Sequence, residues 1–439
     1  MRKLATGIPP SLLPHVGRPP LWKRPVFLLP ATFLGTILVG SVLLSLPGIS
    51  GPNVGPLEAF FTATSAVCVT GLVVVDTGSD FTTAGQAIIL ALIQAGGLGI
   101  MTFSMAVLVL ARKRVAMDQD AALKESYTPV AGWRLGRLLA GVVGLTLLCE
   151  GIGALVLNRS YDDWWPAAFH AVSAFCNAGF ALESDSLQSA GPGVWLPVTL
   201  LVILGGLGFT TLLEIRPRWR ADARRRYTLN TRLVLLTSGS LIAAGVLVLL
   251  ILGSSLKDAF FMSVSARTAG FDTTPVGGMS TPVLLVMMLL MFIGASPGST
   301  GGGIKTTTAA LVVLLVGTVL RGRQDATMHG RTIPRQLLRR ALAVLVCTLL
   351  VVFGGIFALT VLEPTAREQF LPLAFEAVSA VGTVGLSTGI TADLTPASKI
   401  VLCVLMFVGR VGSLSIFLVL IRDAGPSRVQ YPHERVLVG

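Results

Sequence analysis

The sequence predicts an all-α integral membrane protein: four tandem repeats of helix, pore helix with loop, and helix, giving eight transmembrane helices around a pseudo-four-fold pore. Three observations predict it. Of 439 residues, 53% are hydrophobic and only 13% are charged, about half the charge of an ordinary soluble chain. A twelve-residue element recurs four times, and the connections between apolar stretches alternate between strongly basic and mildly acidic.

Stretches free of Lys, Arg, Asp and Glu cover 25–57, 81–111, 186–213, 233–256 and 273–304, each longer than the roughly 20 residues a helix needs to cross a bilayer. This composition excludes a disordered chain and a secreted disulfide scaffold. It also sets aside nucleic-acid binding, despite a formal charge of +12 and a pI of 10.1. The five cysteines (Cys68, Cys149, Cys176, Cys347, Cys403) form no Cys-x-x-Cys pair and the four histidines (His15, His170, His329, His433) are scattered, so neither a disulfide framework nor a zinc site is expected.

The first 24 residues are basic and proline-rich without a short apolar core, as expected of a cytoplasmic lead-in rather than a signal peptide. Further basic blocks lie at 112–137, 216–232, 321–340 and 422–435, whereas the intervening connections carry Asp76, Asp80, Glu183, Asp185, Asp272, Glu363 and Asp393. The positive-inside rule puts the basic blocks and both termini in the cytoplasm. The opposite, acidic face is expected to concentrate cations at a pore mouth.

The repeated element reads Phe61–Leu72 (FTATSAVCVTGL), Phe169–Phe180 (FHAVSAFCNAGF), Phe260–Phe271 (FFMSVSARTAGF) and Phe375–Leu386 (FEAVSAVGTVGL). Anchored on Gly71, Gly179, Gly270 and Gly385, a Phe stands ten residues before each glycine, and Ser65, Ser173 and Ser379 stand six before. An apolar helix precedes each element (about 26–46, 136–157, 232–253, 338–362) and another follows it (about 85–110, 194–214, 281–320, 398–421). The expected organisation is therefore a cytoplasmic segment (1–25), repeats at 26–111, 112–215, 216–321 and 322–421, and a cytoplasmic tail (422–439). Because basic blocks fall only between repeats, the middle element must enter the membrane from the acidic side and return.

Non-helical backbone at membrane depth has to be buried in protein or line a water-filled cavity, so four such loops imply a pore. Loops ending in Thr70-Gly71, Ala178-Gly179, Ala269-Gly270 and Val384-Gly385 can turn carbonyls inward to replace an ion's hydration shell, so the expected filter comprises these residues and Val69, with Asn177, Thr268 and Thr383 as secondary helpers. Glycine suits the tight turn because it adopts φ > 0 freely. Early prolines (Pro56, Pro166, Pro372) start the short helices, whose C-terminal dipole ends favour a cation.

In the helices that follow, Gly96-Gly97-Leu98-Gly99, Gly205-Gly206-Leu207-Gly208 and Gly409-Arg410-Val411-Gly412 correspond, with close packing the expected role of Gly97 and Gly206. In the third repeat the matching stretch holds Gly294, Ser296, Pro297, Gly298, Ser299, Thr300, Gly301, Gly302, Gly303 and Lys305. A continuous helix does not tolerate it, and we expect a gate beneath the filter. Arg410 is expected to face the cavity as a barrier, the alternative being a pair with Glu150. Arg267 is expected to turn behind its loop. No paired carboxylates or nucleophile with a base mark an enzyme.

The four elements, the Ser-Ala-Arg-Thr-Ala-Gly-Phe run at 265–271, the run from Ser296 to Lys305 and Arg410 together resemble the membrane subunits of the Trk/Ktr/HKT superfamily of potassium transporters, over about 26–421. The length and the single helix before the first element look more like the bacterial KtrB subunits than the Trk branch. The resemblance implies potassium at the filter, sodium as a stimulating ion, a homodimer, and a cytosolic KtrA-like ring of nucleotide-binding regulatory subunits at the bacterial cytoplasmic membrane. This chain has no Gly-x-Gly-x-x-Gly after a strand, so the nucleotide would bind the partner. Relatives with serine in the first filter tend to pass sodium, and here the residue is Gly71. The alternative is a sodium-permeable or sodium-coupled cation transporter of the same architecture.

Overall fold

The computed structural model describes residues 25–115, 135–215, 227–328 and 330–412. The N-terminal segment, most of the basic blocks at 112–137 and 216–232, residues 413–421 of the last expected helix and the tail at 422–439 lie outside the described residues. Within them the first repeat comprises α1 (Pro25–Leu44), the short α2 (Pro56–Cys68) and α3 (Thr83–Val115). The second has α4 (Leu135–Tyr161), short α5 (Trp164–Cys176), then α6 (Pro192–Leu207) and α7 (Phe209–Ile215). The third has α8 (Leu229–Ile251), short α9 (Leu256–Ser265), α10 (Thr281–Phe292) and α11 (Thr306–Leu320), and the fourth α12 (Arg335–Leu362), short α13 (Phe370–Gly382) and α14 (Pro396–Val411).

Starts follow local chemistry. Asp163, Thr228, Ser255 and Thr395 cap α5, α8, α9 and α14 by accepting from the amides of Trp165, Thr231, Asp258 and Ser398, which satisfies donors that a helix N-terminus leaves free.

Among the described residues, Leu139–Tyr161, Leu229–Ile251 and Arg335–Leu362 are long and apolar enough to cross a membrane, and α6 with α7 adds a fourth if the bent pair is one span. Their outer faces expose Leu147, Leu155, Leu236, Leu247, Phe353 and Phe357, the surface expected where the solvent is lipid. The short helices are the buried part: Phe61, Phe169, Phe261 and Phe375 are fully or almost fully enclosed.

The flanking helices of each repeat meet through one recurrent contact. A methyl group on Gly40, Gly153, Gly245 or Gly355 of the first helix would lie 2.7, 2.7, 3.0 or 2.6 Å from Leu92, Leu201, Leu290 or Leu405 of the second. Small residues permit such close approach where no water drives helices together.

The second helix of the second repeat is not the continuous 194–214 the sequence suggests. It breaks at Gly208, turning 103° between α6 and α7. Gly208 has φ +83°, a side chain there would meet the Pro297 carbonyl at 2.5 Å, and Phe209 N donates to Gly298 O at 3.1 Å. The segment crossing from the third repeat thus takes up a bond that the helix would have made internally. Between α10 and α11 the helix is interrupted, as its glycines and proline require. The connection after α11 forms a hairpin, β1 (Thr327–Met328) antiparallel to β2 (Arg331–Thr332), over Ala326, Ile333 and Leu338, with Arg321, Arg323, Arg331 and Arg335 exposed.

Glu214 at the end of α7 ties the second repeat to the third. Its carboxylate accepts from Thr228 N at 2.7 Å and Thr228 Oγ1 at 2.8 Å, and from Thr231 Oγ1. Glu214→Ala leaves the buried Thr231 hydroxyl and the half-buried Thr228 donors without this acceptor, which should destabilise the fold by about 1–3 kcal/mol. A lowered midpoint of thermal unfolding in detergent is the expected reading, and an unchanged midpoint removes this role.

Candidate functional site

Left-handed backbone stands two residues before each repeat glycine, at Val69 (φ 54°), Asn177 (58°), Thr268 (76°) and Thr383 (48°); it is the cap of the short helix in repeats one, two and four, whereas α9 ends earlier, at Ser265. The glycines follow with φ of 92°, 71°, 80° and 96°. Positive φ is uncommon for residues with a Cβ, and for a β-branched residue such as Val69 it is an outlier that survives only where the surroundings over-determine it.

Those surroundings are hydrogen bonds back to the helix. Thr70 N, Ala178 N and Val384 N donate to the carbonyls of Ser65, Ser173 and Ser379 at 2.8, 2.7 and 2.9 Å. The side chains of the same serines add a second tie: Ser65 Oγ and Ser379 Oγ accept from Gly71 N and Gly385 N, both at 3.1 Å, while Ser173 Oγ donates to Phe180 O at 2.7 Å.

The third repeat corrects the register read from the sequence. Its enclosed phenylalanine is Phe261, nine residues before Gly270, while Phe260 is half-buried. Ser265, five before the glycine, donates to Phe271 O as Ser173 does to Phe180 O. One residue is therefore missing between this serine and Gly270, and aligning on the glycine alone hides it.

The four loops close into a ring in chain order. A Cβ on Gly71 would strike the Ala178 carbonyl, one on Gly179 that of Ala269 at 2.7 Å, one on Gly270 that of Val384 at 2.5 Å, and one on Gly385 that of Thr70. All twelve expected filter residues thus lie in one assembly, buried except for the half-buried Gly179. On one side the four glycines open into a cavity whose lining includes Asp76, Glu183 and Asp272. Burial alone would push the Glu183 carboxyl up, but the hydrogen bond and charge of His170, together with bonds from its own backbone amide and Tyr161, hold it below its ordinary value. Asp272 is pushed up by burial, partly offset by bonds from Gln188 and Ser186.

On the other side lies the strip from Gly294 to Lys305. Ser296 N donates to Gly206 O at 3.1 Å, and Thr300 Oγ1 reaches Phe175 O and Asn177 Oδ1, both at 3.3 Å. A side chain on Gly301 would run into Thr268, and one on Gly302 into Thr383. The strip therefore passes directly beneath loops two, three and four, and at 301 and 302 only glycine fits without a shift of Thr268 or Thr383.

Two cations hold it. Arg410, 3% exposed, donates through Nη1 to Thr300 O and through Nη2 to Gly96 O, the latter at 2.8 Å. Lys305 Nζ donates to Gly301 O at 2.5 Å. Glu150 is not the partner of Arg410, since it accepts instead from Gln94 Nε2 at 3.1 Å. Arg267 turns behind its loop to Ser238, donating to the carbonyl and hydroxyl at 3.2 Å each. Gly97 packs closely, a Cβ there meeting Cys176 Sγ at 2.9 Å.

A family model described as a cation transport protein, TrkH, matches residues 31–426. The chain belongs to the TrkH family. It is 38% identical to the Ktr system potassium uptake protein B of Bacillus subtilis, over 95% of this chain and 98% of that one. It is 37% identical to the protein of the same name from Vibrio alginolyticus, with 93% of each chain covered. The potassium/sodium uptake protein NtpJ of Enterococcus hirae is 35% identical over 94% of this chain and 97% of its own. The crystal structure of the potassium transporter TrkH from Vibrio parahaemolyticus shares the fold, with a TM-score of 0.72 at 19% identity over 90% of this chain and 84% of that one.

In this TrkH-family chain Arg410 satisfies two carbonyls that belong to different repeats. Arg410→Ala should free the strip, raising hydrogen exchange at the amides of 299–304 by about tenfold or more. Unaltered exchange there would show that Arg410 does not restrain the segment.

Proposed function

We propose that the chain takes up potassium across a bacterial cytoplasmic membrane through the ring of four loops, with the strip from Gly294 to Lys305 as its gate. The observation that carries this reading is the closed ring itself, with an acidic cavity on one side and a tethered glycine strip on the other. Its non-helical backbone has no place facing lipid but suits an ion pathway. The C-terminal ends of the four short helices converge on the ring, and their partial negative charge favours a cation.

In this reading Val69 to Gly71, Asn177 to Gly179, Thr268 to Gly270 and Thr383 to Gly385 bind potassium, and the repeats run over 26–111, 112–215, 216–321 and 322–421 with eight spans. Both termini are cytoplasmic, which puts the exposed arginines of the hairpin after α11 on the cytoplasmic face. The relatives named as components of a Ktr system support a multi-component assembly; we take it to be a homodimer on a cytosolic nucleotide-binding ring. Sodium is the proposed stimulating ion, in keeping with the potassium/sodium name of the Enterococcus relative. Arg410 holds the gate shut and adds an electrostatic barrier below the filter.

Potassium or rubidium uptake into proteoliposomes, with sodium as competitor, tests the reading. Gly270→Asp should abolish selective flux, because a side chain there strikes the Val384 carbonyl; flux and selectivity surviving this change would exclude the ring as the pathway. Gly71→Ser should admit sodium, and retained discrimination would show that this position does not set it.

A further inference from the structure

Two of the short helices carry a buried ionisable side chain that the ring does not need for its own backbone bonds. His170 and Glu376 both stand nine residues before their repeat glycine, and both are 0% exposed. His170 Nδ1 lies 2.8 Å from Pro166 O, so this nitrogen carries a proton, and Nε2 lies 2.8 Å from Glu183 Oε2. The imidazole is held flat against Tyr161, centroids 5.1 Å apart. Glu376 accepts from Ser387 Oγ at 2.6 Å, Thr388 N at 3.0 Å, Thr388 Oγ1 at 3.3 Å and Thr391 Oγ1 at 2.9 Å.

In both cases the tie runs from the short helix to the chain just after the glycine, and Glu183, Ser387 and Thr391 line the cavity above the ring. The ring closes in chain order, so repeats two and four face each other across it. The matching position of repeat one is Thr62, whose hydroxyl has no partner, and repeat three is tied further out, Thr273 donating to Asp258 at 2.9 Å. A buried carboxylate is costly unless its lone pairs are filled, and bonds to a charged group are the stiffer kind.

We propose that His170 and Glu376 are specificity-determining positioning residues: they hold the outer halves of two opposite loops at the width that distinguishes potassium from sodium. The inference rests on the filter reading above. Neither side chain touches the ion; each acts through the segment that follows its glycine. Loss of either should relax discrimination between the two ions while leaving the chain folded.

The full chain is assayed in two ways: uptake competition in proteoliposomes, and the potassium and sodium concentrations giving half-maximal thermal protection in detergent, which does not require an open gate. His170→Ala and Glu376→Ala should lower the preference for potassium over sodium by about tenfold. The milder Glu376→Gln, which keeps an acceptor oxygen and reads the position even if alanine does not fold, should lower it about threefold. Folded variants that keep the wild-type preference, or lose response to both ions in proportion, overturn the proposal. Wild type with no preference, or a Gly270→Asp chain that retains one, overturns the filter reading itself and this inference with it. That result is distinct from a selective wild type whose His170 and Glu376 variants are equally selective.

Discussion

A peptide group inside a membrane protein cannot leave its N–H or C=O without a partner, and this molecule places four loops and a twelve-residue strip of non-helical backbone at its centre. That constraint accounts for most of what surrounds them. Serines on the short helices bond the chain beside the glycines, Arg410 and Lys305 cap strip carbonyls, and Ser296 N and Phe209 N trade bonds across α6 and α7. An arginine in an otherwise apolar helix is expensive, but here its guanidinium donates to the carbonyls of Thr300 and Gly96.

The four-fold repetition is kept where it serves the ring and broken where the strip must pass. The glycine-to-leucine contact between flanking helices occurs in every repeat, as does left-handed backbone two residues before the repeat glycine. The third repeat departs from the pattern. It supplies the strip, loses a residue before Gly270, and carries Arg267 with a chain of polar contacts through Ser238 to Ser296 and Thr306. The second repeat adapts in turn, α6 ending at Gly208 because the strip occupies the space a straight helix would need.

Much of this was legible in the residues. Repetition at Gly71, Gly179, Gly270 and Gly385 marked the loops, and the glycines and proline between Gly294 and Lys305 marked the break, because both signals are local and follow from backbone sterics. The turn of Arg267 behind its loop followed from the cost of a cation in a cation pathway. The bend at Gly208 was not legible, since Gly205-Gly206-Leu207-Gly208 reads like Gly96-Gly97-Leu98-Gly99, which stays helical. The difference lies in a neighbour from another repeat. The shifted register of Phe261 and Ser265 could have been found by aligning on the serine as well as on the glycine.

The sequence by itself determined that this chain is helical, suited to a membrane and built from one repeated unit, because hydropathy, charge alternation and glycine placement act over a few turns of chain. Only the tertiary structure decided which carbonyl each cation meets and which partners His170 and Glu376 find. Arg410 bonds to Thr300 and Gly96, 110 and 314 residues away, and His170 finds Glu183 through the path of the loop between them. Such partners are selected by how four repeats close around one axis, which no single stretch of sequence encodes.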